Sequence, residues 1–190
     1  MINEDIAAEV LDLSQRVGAL KYGEFILSSG MKSGYYFDGR LISLHPEGSV
    51  LLGKLFFEQI KEQKVDAVGG PAVASIPIAT AVALTSQLEG QPVKAFFVRP
   101  AAKDHGTGQQ IEGDLKPGDR IMIVDDVCTS GNSLFLAIEA AESIGCEVIR
   151  VAVLLDRKQG GSEEVRRKGY DFRSVLEPDQ NGVVKATTQK

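Results

Sequence analysis

Cysteine is scarce: Cys128 and Cys146 are the only two in the chain, and they form no CxxC spacing. That excludes a disulfide framework and fits a reducing cytoplasm. Long apolar runs are missing as well. The longest are a few residues, against the ~20 that a membrane-spanning helix needs. Residues 1–10 carry Glu4, Asp5 and Glu9 and no apolar stretch, so no secretory signal is expected there. Nor is positive charge in excess. Lys and Arg number 21 against 26 Asp and Glu, a net charge of −5 at pH 7. No global field is then available to hold a nucleic-acid backbone. An anionic ligand would have to be bound by local groups, backbone amides or a metal. Repeats with a period of about 20–50 residues are absent, as are low-complexity tracts.

What is present is ordinary for a globular protein: 43% hydrophobic and 25% charged residues over 190 positions. Against roughly 150 residues per domain, that length means one domain, two at most. A chain of this size buries about 70% of its unfolded surface, enough for a core without staples. We expect a single domain over residues 1–190. Residues 1–45 would form an N-terminal helix and a small hood, 46–176 an α/β core, and 177–190 a frayed polar tail.

Ile6, Val10, Leu13 and Val17 recur at helical spacing, with Gly18 as a stop. Short β-like runs at 24–27 and 35–37 flank a Ser-Gly-rich turn. Pro46 then opens a second helix with Leu51, Leu52, Leu55, Phe56 and Ile60 inward. From Val65 the pattern is regular. Apolar runs VDAVGG, VKAFFV, RIMIV and EVIRVAVLL alternate with helices expected over 77–88 and 132–144, and with a long polar loop at 99–119. Such alternation means βαβ crossovers and a mostly parallel sheet covered on both faces. Ligands of such sheets sit outside the carboxyl ends of the strands. The loops beginning at Gly69, Arg99, Asp125 and Asp156 are therefore the candidates.

The segment RIMIVDDVCTSGNS is the most informative. An apolar strand ends in Asp125 and Asp126, and Val127 and Cys128 lead into Thr129, Ser130, Gly131, Asn132 and Ser133. Small hydroxyl residues and a glycine at a helix N-terminus make an anion site, because free N–H groups and the positive end of the helix dipole face the ligand. Two acids beside it suit sugar hydroxyls or a metal. Phosphate plus diol reads as a ribose 5-phosphate. A P-loop would need a Gly-x-x-x-x-Gly-Lys-Ser/Thr, but the nearest candidate places Met31 between Gly30 and Lys32. A dinucleotide pattern fails because Ile111 stands where the third glycine would be after Gly106 and Gly108.

The loop at 99–119 carries Arg99, Lys103 and His105, the last being one of only two histidines. Loops this long without structure of their own are usually functional lids or disordered. A departing diphosphate needs its charge neutralised and water kept out. His45, in Leu-His-Pro, reads as a turn residue. Arg157, at the end of the LLDR run, offers a guanidinium fork that matches a carboxylate in two hydrogen bonds.

VDDVCTSGNS resembles the phosphoribosyl diphosphate (PRPP) signature of type I phosphoribosyltransferases. RPAAKDHGTGQQIEG resembles the catalytic loop of the orotate phosphoribosyltransferases within that family. FILSSGMKSGYYFDGR is similar to their N-terminal hood over the base, GGPAVASIPIATAVA to their pyrophosphate loop and following helix, and LLDR to a strand end with an orotate-binding arginine. The likeness extends over most of the chain, and its motifs follow in the family's order. It departs at Ala74, Pro100 and Ser28, where lysines are common, and at Gly34, where some members have proline.

The resemblance implies the type I phosphoribosyltransferase fold. It implies transfer of the phosphoribosyl group from PRPP to orotate, giving orotidine 5′-monophosphate and diphosphate in pyrimidine (UMP) biosynthesis. Asp125 and Asp126 would hold the ribose, and Thr129 to Ser133 the 5-phosphate, with Val127 and Cys128 also among the PRPP-binding residues. Arg99, Lys103 and His105 would close over the diphosphate, with Lys103, His105 and the two aspartates as the catalytic set. Thr129 and Arg157 would face orotate. Mg²⁺ would bridge diphosphate and ribose oxygens, held mainly through PRPP. A cytoplasmic homodimer is implied, with the loop reaching the neighbouring subunit. The rival readings are a phosphoribosyltransferase for another base and a PRPP-sensing regulator without turnover.

Overall fold

The computed structural model of the chain describes residues 2–26, 30, 32–101 and 110–187. Helix α1 (Glu4–Arg16) forms where the apolar spacing predicts it. The Asn3 carboxamide oxygen accepts the Ile6 amide at 3.2 Å, which satisfies one of the free N–H groups of the first turn. Strands β1 (Leu20–Ile26) and β2 (Lys32–Phe37) make an antiparallel two-stranded hood. Short α2 (Arg40–Ser43) leads to α3 (Pro46–Glu58), which opens with proline at its first turn, where the missing N–H is not needed. Ile60 is buried as expected but lies in the turn after the helix.

The core then runs β3 (Ala67–Pro71), α4 (Ser75–Leu88), β4 (Lys94–Val98), β5 (Ile111–Glu112), β6 (Arg120–Cys128), α5 (Asn132–Ser143), β7 (Glu147–Asp156), α6 (Gly161–Arg167), β8 (Phe172–Pro178) and β9 (Val184–Ala186). The seven-stranded sheet has the order β5-β4-β3-β6-β7-β8-β9. Its inner strands are parallel and both edge pairings antiparallel.

Side-chain alternation covers both faces. Met122 and Val124 of β6 pack with Ile78 and Val82 of α4 and with Leu52 and Phe56 of α3. Ile121 and Ile123 point the other way, to Leu134 and Ile138 of α5. The parallel, doubly covered sheet is thus as the sequence predicts.

Three expectations are corrected. Strand β6 continues through Cys128, with Asp125 opposite Val153 and Cys128 opposite Asp156, so the loop after it begins at Thr129. The stretch 99–119 is not structureless, because β5 returns along β4. The tail is not frayed through residue 187. Residues 184–186 pair with β8 and Thr187 is buried, while residues 188–190 lie outside the described residues. The hood is tied to this edge, since the Val184 amide donates to the Tyr22 hydroxyl at 3.0 Å.

Arg150 on β7 is buried and donates twice to one Asp171 oxygen, at 2.9 and 2.7 Å, and once to the Gln59 carbonyl. Burial alone would raise the Asp171 carboxyl, but hydrogen bonds and charge from Arg150 and Arg173 outweigh it and hold it below the ordinary value. Its stabilisation is therefore present above the ordinary aspartate pKa of about 4 and is lost as pH falls through the lower folded-state value. Asp171→Asn is expected to cost about 1–2 kcal/mol at pH 7. That is the low part of the range for hydrogen bonds to charged groups, because Asp171 is 36% exposed and water screens the pair. Urea unfolding should show the difference from wild type shrinking on acidification below about pH 4. A difference independent of pH would contradict this account.

Candidate active site

Strand β3 lies between β4 and β6, so the chain runs outward to one side and then returns to the other. The order reverses at this point, which is where sheets of this kind form a ligand crevice, outside the carboxyl ends of the strands. Asp125 and Asp126 come into it at the end of β6, and the segment 129–133 joins β6 to α5.

Asp125 is buried, at 5% exposure. One carboxylate oxygen accepts the Ser133 hydroxyl at 3.1 Å, and the other accepts the Asp126 amide at 2.9 Å. Burial, and then the neighbouring charge of Asp126, push its carboxyl up to about 8. Asp126 is also raised, by burial and then by the charge of Asp38, while Arg40 acts against the shift. Asp38 and Arg40 are themselves paired at 2.8 Å. Between them Gly39 lies against the acid pair: a Cβ there would stand 2.6 Å from that of Asp126. Two poorly solvated carboxylates side by side gain from hydroxyl donors or a hard cation. This donor set suits both a ribose diol and Mg²⁺.

Helix α5 has Gly131 at its N-cap in the left-handed conformation, with φ 82°, and no side chain caps its first amides. Ser130 and Asn132 are exposed there. The Ser133 hydroxyl donates to Asp125. Cys128 faces the core, and burial first, with the surrounding carboxylates, pushes its thiol up to about 12. Its side chain is no nucleophile, and only its backbone is left to serve a ligand.

Sequence reasoning missed the support beneath this loop. The Gly161 amide donates to the Thr129 carbonyl at 3.0 Å. A Cβ on Gly161 would stand 2.6 Å from that oxygen and 2.7 Å from both the Cys128 sulfur and the Gly131 nitrogen. Only glycine fits so close to the loop. The one visible signal was the Gly160-Gly161 pair a few residues beyond the strand.

Arg157 follows β7, and its amide donates to the Cys128 carbonyl at 2.9 Å. The reading of Arg157 as a residue for a carboxylate meets a side chain that is 8% exposed, with Nη1 fully buried and lacking any hydrogen-bond partner among the described residues. Its guanidinium lies 5.0 Å from the centroid of the Tyr35 ring, on hood strand β2. Arg99 stands at the start of the long loop, closed by its amide to the Gln110 carbonyl at 2.9 Å, and pairs with Glu112 at 3.5 Å. Ala74 occupies the N-cap position of α4 and His45 that of α3. Lys103, His105 and Ser28 lie outside the described residues.

Residues 44–187 match the family model of the phosphoribosyl transferase domain. Over 152 residues the chain is 42% identical to orotate phosphoribosyltransferase of Aquifex aeolicus, covering 80% of this chain and 83% of that one. It is also similar to the solved orotate phosphoribosyltransferase of Mycobacterium tuberculosis. The TM-score is 0.79 at 37% identity for the Fe(III) dicitrate complex, over 90% of this chain and 96% of that one. For the complex with PRPP the TM-score is 0.75 at 34% identity, over the same shares.

Gly161→Ala is expected to push the 129–131 backbone by a few tenths of an ångström. Overpacking of this kind costs about 1–3 kcal/mol of stability. Calorimetry should show affinity for PRPP falling about tenfold, since positioning errors on this scale are amplified at a rigid site. Unchanged affinity in a folded variant would contradict the role given to Gly161.

Proposed function

The chain belongs to the phosphoribosyl transferase family, among its orotate phosphoribosyltransferases, and from that premise we propose how its own residues carry the transfer of the 5-phosphoribosyl group from PRPP to orotate. The observation that carries the reading is Arg157: a nearly buried guanidinium without a carboxylate partner among the described residues, at the carboxyl end of the strand beside the acid pair. Leaving such a charge unpaired is costly, and the orotate carboxylate matches its fork. Thr129 flanks the same strand end.

The amides of 129–133, supported by Gly161, would take the 5-phosphate. Asp125 and Asp126 would accept the ribose hydroxyls, which orients the sugar for attack by the base nitrogen at the anomeric carbon. The bond from that carbon to diphosphate breaks as the bond to the base forms. Asp125 and Asp126 would also be the residues to hold Mg²⁺ brought with PRPP. When bound, that ion supplies charge neutralisation to the leaving diphosphate. Arg99 would approach the diphosphate by exchanging its contact with Glu112. The resemblance assigns Lys103 and His105 to the same task, with the loop serving the active site of a second copy in a homodimer. Two buried free cysteines suit a cytoplasmic setting. Among the described residues no helix is long and apolar enough to cross a membrane.

With PRPP and Mg²⁺ supplied, orotate should be consumed far faster than uracil or adenine. Arg157→Ala should lower kcat/KM for orotate by roughly ten- to hundredfold, corresponding to about 1.5–3 kcal/mol for a lost charged hydrogen bond. The KM for PRPP should barely change. Equal turnover of adenine, or loss of PRPP binding with orotate kinetics intact, would refute this base site.

The shared loop has its own test. Lys103→Ala and the double variant Asp125→Asn with Asp126→Asn should each be inactive. If the loop crosses between subunits, a mixed dimer regains one intact site. Random reassortment makes about half the dimers mixed, so about a quarter of wild-type activity should return. No recovery despite demonstrated subunit exchange would exclude a shared site.

A further inference from the structure

The Arg157 guanidinium is held by few groups. Among the described residues its side chain makes no hydrogen bond and no ion pair. Nη1 is sealed from solvent without a hydrogen-bond partner, whereas Nε and Nη2 are not so sealed. A long side chain in this position has several rotatable bonds and nothing polar to fix its plane. What it does have is the ring of Tyr35, 5.0 Å from the guanidinium carbon to the ring centroid. Tyr35 is itself 6% exposed, and it sits on β2 opposite Tyr22, whose hydroxyl anchors the hood to β9.

We propose that Tyr35 is the positioning residue for base recognition: its ring face holds the Arg157 guanidinium so that the free edge is presented to the carboxylate of the base. The inference rests on the reading of Arg157 as the orotate-carboxylate residue. The ring supplies attraction to the cation at its face without occupying an N–H that the ligand needs. It also couples the hood to the end of β7, so the hood contributes to specificity through the arginine as well as by covering the base. No hydrogen bond of the Tyr35 hydroxyl is found among the described residues, so the aromatic face, not the hydroxyl, carries the role.

The test is a double-mutant cycle read as KM for orotate, KM for PRPP and kcat separately. Tyr35→Phe keeps the ring and should leave the KM for orotate within about twofold. Tyr35→Leu should raise it by roughly five- to thirtyfold, the range for a desolvated cation–π contact, with the KM for PRPP unchanged. Tyr35→Met refills the volume with a flexible apolar chain and carries the same expectation, which keeps the test available if the leucine variant does not fold. In an Arg157→Ala background either substitution should add less than about twofold, because there is no guanidinium left to hold. Multiplying losses in the double variant would overturn the role of Tyr35 while leaving that of Arg157 standing. An Arg157→Ala variant with wild-type KM for orotate would instead overturn the base-site reading, and the positioning role with it.

Discussion

The parallel pairing of β6 with β7 is the contact on which the site depends. Its register places Cys128 opposite Asp156, and the Arg157 amide closes on the Cys128 carbonyl. One strand therefore delivers two carboxylates and the start of α5, while its neighbour delivers a cation. The charges meet in one crevice only because both strands run the same way and end together. An antiparallel pairing would put Arg157 at the opposite end of the sheet. The position of β6 beside β3 is where the strand order reverses, the point at which sheets of this kind take a ligand.

Holding these groups there works against stability. Asp125 is buried beside a like charge, Arg157 Nη1 and one Asp156 oxygen are buried without hydrogen bonds among the described residues, and Gly161 is pinned where no side chain fits. Such features persist only in a scaffold that over-determines them. Two apolar layers, one on each face of the sheet, provide that scaffold, and Arg150 clamps β7 to Asp171 and to the end of α3. The ligands envisaged are what these groups lack: hydroxyl donors or a cation for the acids, a phosphate for the amides, and a carboxylate for the arginine.

Much of this was legible in the chain itself. The β6–loop–α5 unit is visible because an apolar run, two acids and a glycine-hydroxyl cluster follow in the order that parallel strands use. Arg157 is visible as a cation at a strand end. The strand continuing through Asp125 and Asp126 was not legible, because two adjacent acids read as a loop until the pairing with β7 shows where they sit. Strand β9 was hidden for a related reason: three residues in a polar stretch become a strand only through β8 beside them. Gly161 and Tyr35 act through neighbours remote in sequence, a ring over a guanidinium and a Cα under a loop, and no local pattern marks either.

The measurement that bears most directly on the account is a crystal structure with orotidine 5′-monophosphate bound, since that one molecule spans the whole crevice. The phosphate should lie on the amides of 129–133, the ribose hydroxyls on Asp125 and Asp126, and the carboxylate of the base on the free edge of Arg157 beneath Tyr35. A base whose carboxylate points away from Arg157, with the phosphate still in the loop, would contradict the central assignment.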